Sequence, residues 1–184
     1  MSKVVTSTLM VVGLSLSSIG FADSSDAALF AKLSESKLTL LQGLAKAEAN
    51  EGAAISAKFE MDGDHLSLSV YTAKKGFAMD AEHNVLRELA GDPTGVQWTP
   101  GIEVFADTEH LTRASSQLTL MQLSHITLSK AVAIAARRAS GIIYSVTPKI
   151  EGGHVVVEVL AVDQDGDETE TFVVNLSTGA AVKR

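Results

Sequence analysis

The sequence predicts an α+β fold of two tandem units, each a helix packed on a three-stranded antiparallel sheet. Three observations carry that expectation. The stretch Asp62-Gly-Asp-His-Leu-Ser-Leu-Ser-Val70 recurs as Glu151-Gly-Gly-His-Val-Val-Val-Glu-Val159. Each copy follows an alanine-rich segment opening on Thr-Leu, at Thr39-Leu40 and at Thr127-Leu128. In both copies the apolar period switches from 3.6 to 2 after that segment, as helix gives way to strand.

Residues 1–22 read as a secretory signal peptide. Lys3 is its only charge, an apolar run follows, and small residues at Gly20 and Ala22 set cleavage before Asp23. Ser15, Ser17 and Ser18 interrupt the run, which falls short of the roughly 20 apolar residues a membrane span needs. No Cys exists to carry a lipid, so no anchor is expected after cleavage.

The first unit is expected over 23–90. A short amphipathic segment at 27–33 is broken at Ser34-Glu-Ser36, and a helix then runs over 39–50. Thr39 with Gln42 three residues on is a capping box. Leu40, Leu41, Leu44, Ala47 and Ala45 give the buried stripe, and Gly52 ends the helix. Ile55, Ala57, Phe59 and Met61 alternate with polar residues as a half-buried strand. Gly63 turns the hairpin, and Leu66, Leu68 and Val70 return on one face. Lys74-Lys75-Gly76 turns into Phe77-Ala78-Met79, and His83-Asn84 turns again before Val85-Leu86.

Residues 91–113 read as a linker rich in turn residues. It carries Trp98, Ile102 and Phe105, large apolar groups expected to cover surface between the units. The second unit spans 114–184. Leu118 and Met121 match Phe30 and Leu33, Thr127 caps the helix, and Ser140-Gly141 ends it. Ile143 to Thr147, Val155 to Val162 and Thr171 to Asn175 form its strands, with turns at Gly152-Gly153 and Asp163 to Asp167.

Charge narrows the function classes. The chain carries 15 basic and 22 acidic residues, a net charge of −7 that becomes −8 once Lys3 leaves with the signal. An acidic chain lacks the Lys and Arg that nucleic-acid phosphates require. The absence of Cys means that disulfides do not stabilise this exported chain, which suits a bacterial periplasm or medium. No Gly-x-Ser-x-Gly, His-Glu-x-x-His, phosphate loop or dinucleotide fingerprint occurs. Glu82-His83 lacks a second His, and Ser115, Ser116 and Ser140 have no evident base. No enzyme is expected, and no catalytic, cofactor or metal residue is assigned.

Two features invite a metal reading and both have a plainer one. His65 and His154 stand at equivalent positions, but a metal needs three or more converging ligands. Asp163, Asp165 and Asp167 with Gly166 and Glu170 resemble a calcium loop. An EF-hand needs Gly at its sixth position, where Glu168 stands, and its twelfth position holds no Glu. A solvated acidic turn is the expectation, opposite in charge to Lys74-Lys75-Gly76. Arg137-Arg138 is expected to complement the dipole at the end of the second helix.

The layout of helix, strand, Gly turn, strand, turn, strand and Thr-Gly resembles the PepSY domain. The second copy carries it best, in Ile126 to Ala135, Val155 to Val159 and Phe172-Val-Val-Asn-Leu-Ser-Thr-Gly179. In the first copy Met79 to Asn84 stands where Thr-Gly is expected, so that copy reads as diverged. The resemblance implies an exported module without catalysis, acting in trans as a modulator or inhibitor of a protease, or holding another exported protein. An edge strand that adds an extended peptide is the physical route. The rival expectation is an envelope protein that is structural or binds a small ligand or metal in the crevice between the repeats.

Overall fold

The computed structural model describes residues 24–163, 165–166 and 168–184; the expected signal peptide lies outside them. The elements are α1 (Ser24–Leu33), α2 (Leu40–Glu51), β1 (Ala53–Asp62), β2 (His65–Ala73), β3 (Leu86–Gly91) and β4 (Gly101–Val104). They continue as α3 (Thr108–Gln122), α4 (Leu128–Ala136), β5 (Ile142–Glu151), β6 (His154–Val162), β7 (Thr169–Asn175) and β8 (Ala181–Lys183). The order α-α-β-β-β-β therefore occurs twice. The strands are antiparallel neighbours in one eight-stranded sheet, β4-β3-β2-β1-β5-β6-β7-β8. The α+β class is as expected, but the strands form one continuous sheet, and each half has a second helix and a fourth strand. None of the described helices is long and apolar enough to cross a membrane.

Local chemistry explains the shared elements. The Thr39 hydroxyl accepts from the Gln42 N–H at 3.2 Å, and the Gln42 side chain accepts from the Thr39 N–H at 2.9 Å. Thr127 accepts likewise from the Lys130 N–H, where lysine cannot answer as an acceptor. One step earlier, Ser36 bonds both the carbonyl and the N–H of Leu38, and Ser124 does the same with Ile126. Leu40, Leu44 and Ala47 of α2 are buried, whereas Ala45 is exposed and Gly43 takes the inner position. A Cβ on Gly43 would stand 2.4 Å from Leu68 Cδ2, so the missing side chain lets α2 approach β2 closely.

The simple alternation expected in the first strand of each half is interrupted by a bulge. Pairing slips between Ala54 and Ser56 in β1, and between Ile143 and Ser145 in β5. Ile55 and Tyr144 are the extra residues. Ile55 consequently leaves the face of Ala57 and Phe59 and joins a second buried cluster with Tyr71, Ala73, Leu86, Phe105 and Leu118. Tyr144 instead meets Phe30 of α1 edge-on, with ring centroids 5.2 Å apart.

The segment 91–113, read as a linker, supplies β4 and the first turns of α3. Trp98 and Phe105 are buried, but Ile102 is 51% exposed. No strand forms at Phe77-Ala78-Met79, where the chain makes turns instead. The Thr-Gly feature also needs correction. The Asn175 side chain accepts from the N–H groups of Ser177 and Thr178, ahead of Gly179. Asp92 accepts from both the N–H and the hydroxyl of Thr94. Lys37 N–H donates to Pro93 O as His125 N–H does to Leu176 O, so Asp92 stands where Asn175 does and Thr94 where Ser177 does. The first copy therefore keeps this turn at Asp92, but its Gly95 comes one residue earlier than Gly179 and lacks the positive φ of Gly179. Residues 74–85 between β2 and β3 are longer than 163–168 between β6 and β7, which displaced the match.

Gly52 and Gly141 mark the same place in the two halves. A Cβ would lie 2.4 Å from Ala73 O at Gly52 and 1.9 Å from Val162 O at Gly141. Both contacts are with backbone, which cannot swing aside. Gly141→Ala is expected to lower the unfolding free energy by about 1–3 kcal/mol. Urea denaturation of the variant, showing no loss, would refute the close-approach account.

Candidate functional site

The repeated histidines are not brought together. Ala57 pairs with Val146 in antiparallel register, so the two hairpin tips point to opposite ends of the β1–β5 seam. His65 and His154, both exposed, end roughly 30 Å apart at about 3.3 Å per residue. Among the described residues no three His, Asp or Glu side chains form a metal-binding group. His83 turns to its neighbour Asp80, with Nδ1 and Oδ1 2.8 Å apart.

The acidic turn closes on itself. Asp163 Oδ1 accepts from Glu168 N–H, and Asp163 N–H donates to Glu168 O at 2.9 Å. Asp167 lies outside the described residues. Glu170 faces away from this turn: it accepts from the Ser140 N–H and hydroxyl, both at 2.9 Å, and pairs with Lys183. The Lys183 ammonium, then the Ser140 N–H, hold the Glu170 carboxyl down at about 2, against an ordinary 4.5. A carboxylate held so firmly in its charged form is a weak base for the Ser140 hydroxyl. Ser116 donates to the Thr112 carbonyl one helical turn back.

Glu170 has a counterpart that no motif announces. The pairings Ala161↔Glu170 and Thr72↔Arg87 are equivalent, so Arg87 occupies the Glu170 position of the first half. Both residues are buried. Arg87 donates to Glu51 O and pairs with its carboxylate at 2.8 Å, tying the end of α2 to β3. Glu170 ties the end of α4 to β7 with the opposite charge.

The two sheet edges differ more. Phe105 N–H donates to Leu86 O, which fixes the alternation along β4. Glu103 and Gly101 turn their backbone groups toward β3, while Ile102 and Val104 turn theirs outward. All four residues of β4 are exposed, Ile102 by 51% and Val104 by 56%. Beside them a cavity of about 280 Å³ opens toward α2, lined by Lys46, Glu51, Leu89, Trp98, Pro100 and Ile102. At the far edge, Arg184 N–H donates to Thr171 O, so Ala181 and Lys183 face outward. That edge is occupied: the Arg138 guanidinium donates to Ala181 O, and Lys183 holds Glu170. Arg138, expected at the helix dipole, reaches β8 instead.

The crevice between the halves is unequal too. At one end Ser129 of α4 donates to Glu48 of α2 at 2.9 Å. At the other, the equivalent residues are Leu41 and Ala136. There an apolar cavity of about 290 Å³ is lined by Leu40, Leu41, Val132, Ala136, Ile142 and Ile143.

Glu170 predicts an acid dependence. Its depressed carboxyl stabilises the fold above pH 4.5, and that contribution is lost as pH falls toward about 2. Glu170→Gln is expected to flatten the melting temperature against pH across this window. A variant profile parallel to the wild type would exclude the clamp.

The chain matches no protein-family model and no curated protein. A crystal structure described as a putative lipoprotein from Clostridium difficile 630 is similar over 81% of this chain and 95% of its own. Identity is 14% and the TM-score 0.40, a likeness too distant to carry an argument about function.

Proposed function

We propose that the chain is an exported, non-catalytic binding module of two tandem PepSY-like units that captures an extended peptide on β4. By that capture it modulates a protease in trans or holds another exported protein. The tandem reading rests on the matched caps at Thr39 and Thr127, the matched bulges, and the matched close approaches at Gly52 and Gly141. The binding reading rests on one observation: β4 offers an exposed edge whose outward backbone groups belong to Ile102 and Val104. An added strand would bond those groups, and its side chains on the α2 face would meet the cavity around Trp98. Backbone bonds of this kind supply affinity to any extended segment, which suits a module that serves extended clients.

A second reading has its own support. The apolar cavity beside Leu41 and Ala136 suits a small uncharged ligand, in line with a binding role for the crevice between the halves. Indole is the simplest probe. A rise in melting temperature with indole that Ala136→Phe abolishes would favour this reading.

The edge reading is tested by removing one outward N–H. Proline is tolerated where an edge strand faces solvent, so Ile102→Pro should keep the β3–β4 pairing while deleting the donor. Ile102→Ala loses the same side chain and keeps the donor. The single Trp is Trp98, beside the site, so its fluorescence reports binding of a capped nonapeptide of alternating valine and serine. Ile102→Pro is expected to bind at least about fivefold more weakly than Ile102→Ala, the worth of one hydrogen bond. Equal affinity for the two variants would sink strand addition at β4.

A further inference from the structure

The β4 edge also has two differently coloured faces, and this bears on what it captures. Register pairs Leu89 with Ile102 and Arg87 with Val104, and Leu89 and Arg87 both face α2. Ile102 and Val104 therefore present exposed apolar groups on the α2 side. The alternation turns Glu103 to the reverse face, directly opposite Glu88. Like charges directly opposite in a ladder destabilise it. Among the described residues, neither Glu88 nor Glu103 is in an ion pair. Further along the same row stands Tyr71, which is buried; burial first, and then Glu88, pushes its hydroxyl up to about 12. Arg113 meets the Tyr71 hydroxyl at the inner end of this row, while Glu88 and Glu103 at the outer end remain two unpaired carboxylates facing open solvent. A cavity of about 200 Å³ lies over them, lined by Glu88, Ala90, Gly101, Ile102 and Glu103.

We infer that the edge selects a peptide in which basic residues alternate with apolar ones; this rests on the strand-addition reading above. In an added antiparallel strand, the residues opposite Ile102 and Val104 form hydrogen-bonded pairs, and the residue between them faces Glu103. That central pair is of the non-bonded kind, with Cα atoms about 4.5 Å apart and side chains close. A lysine or arginine there relieves the Glu88–Glu103 repulsion, whereas an acidic residue adds a third negative charge. Its neighbours on the α2 face meet Ile102, Val104 and Trp98. The chain's net charge of −7 acts in the same direction, steering basic segments in from a distance. No comparable preference is built at β8, where Arg138 and Lys183 occupy the edge.

Three capped nonapeptides test this on the full chain, read by Trp98 fluorescence: alternating valine–lysine, valine–serine and valine–glutamate. The lysine peptide is expected to bind at least about fivefold more tightly than the glutamate peptide at low salt, with serine between them. The double variant Glu88→Gln, Glu103→Gln should bring the three affinities together, and its serine-peptide affinity shows that the edge is intact. Equal affinities for the three peptides on the wild-type chain would overturn the charge preference and leave strand addition standing. Binding of none would overturn both. A lysine preference that persists in the double variant would move the preference elsewhere on the acidic surface and overturn its assignment to this edge.

Discussion

Everything in this molecule depends on the short seam where β1 meets β5. Only Ala57↔Val146 and Lys58↔Ser145 are paired across it, yet it turns two half-sheets into one. Extending the register shows why the seam is short. The Ile55 bulge lies opposite Pro148, which has no N–H to give, and the Tyr144 bulge lies opposite Phe59. A bulge raises local twist and breaks the ladder, so each end of the seam closes after one further step. The helices complete the join. Phe30 of α1 crosses to Tyr144 in the second half, and Ser56 of β1 donates to Gln117 of α3 at 2.8 Å. Each half thus supplies a helix that covers the bulge of the other.

That arrangement decides where the edges are. Two isolated half-sheets would expose four edges; joining β1 to β5 covers two and leaves β4 and β8. An open edge is a hazard that proteins cover, shorten or charge. Both edges here are short, but among the described residues only β8 is covered, by Arg138. Glu103 on β4 is a charge on an edge, which discourages self-pairing because a second β4 would bring a second Glu103. The same charge that disfavours another copy favours a basic partner. Protection and selectivity are therefore compatible in one residue.

Much of the fold was legible because it is governed by local rules. Thr39, Thr127, Gly63 and Gly152 act through backbone groups within three residues, so sequence alone places them. The bulges, the single sheet and the first-half counterpart of the Asn175 turn were not legible. A bulge leaves no composition signal when the extra residue is another apolar one, as Ile55 is. The seam joins residues about 90 apart, Ala57 to Val146 and Lys58 to Ser145, through backbone pairing that any two strands could make. The match of Asp92 to Asn175 was hidden by the longer loop at 74–85, since counting along the chain cannot see where a strand resumes. Arg87 and Glu170 were hidden because charged residues are read as surface, and only their burial reveals them as clamps.

The divergence between the halves separates structural conservation of pattern from candidate function. Where both halves must solve the same packing problem, they use the same solution: cap, bulge and glycine at the close approach. Arg87 and Glu170 solve the same problem with opposite charges, so the clamp itself, not its sign, is what packing requires. The β4 edge and the Leu41 cavity are different in kind, because in each case one half closes a site that the other leaves open. The same chain closes the equivalent places with Arg138 and with the Ser129–Glu48 bond. Of the two, β4 offers directional hydrogen-bonding groups together with apolar and charged faces, and so can discriminate between partners. The Leu41 cavity has mainly apolar walls, which supply affinity without orientation. Of the two proposed sites, the outer strand is therefore better suited to selective recognition than the join between the halves.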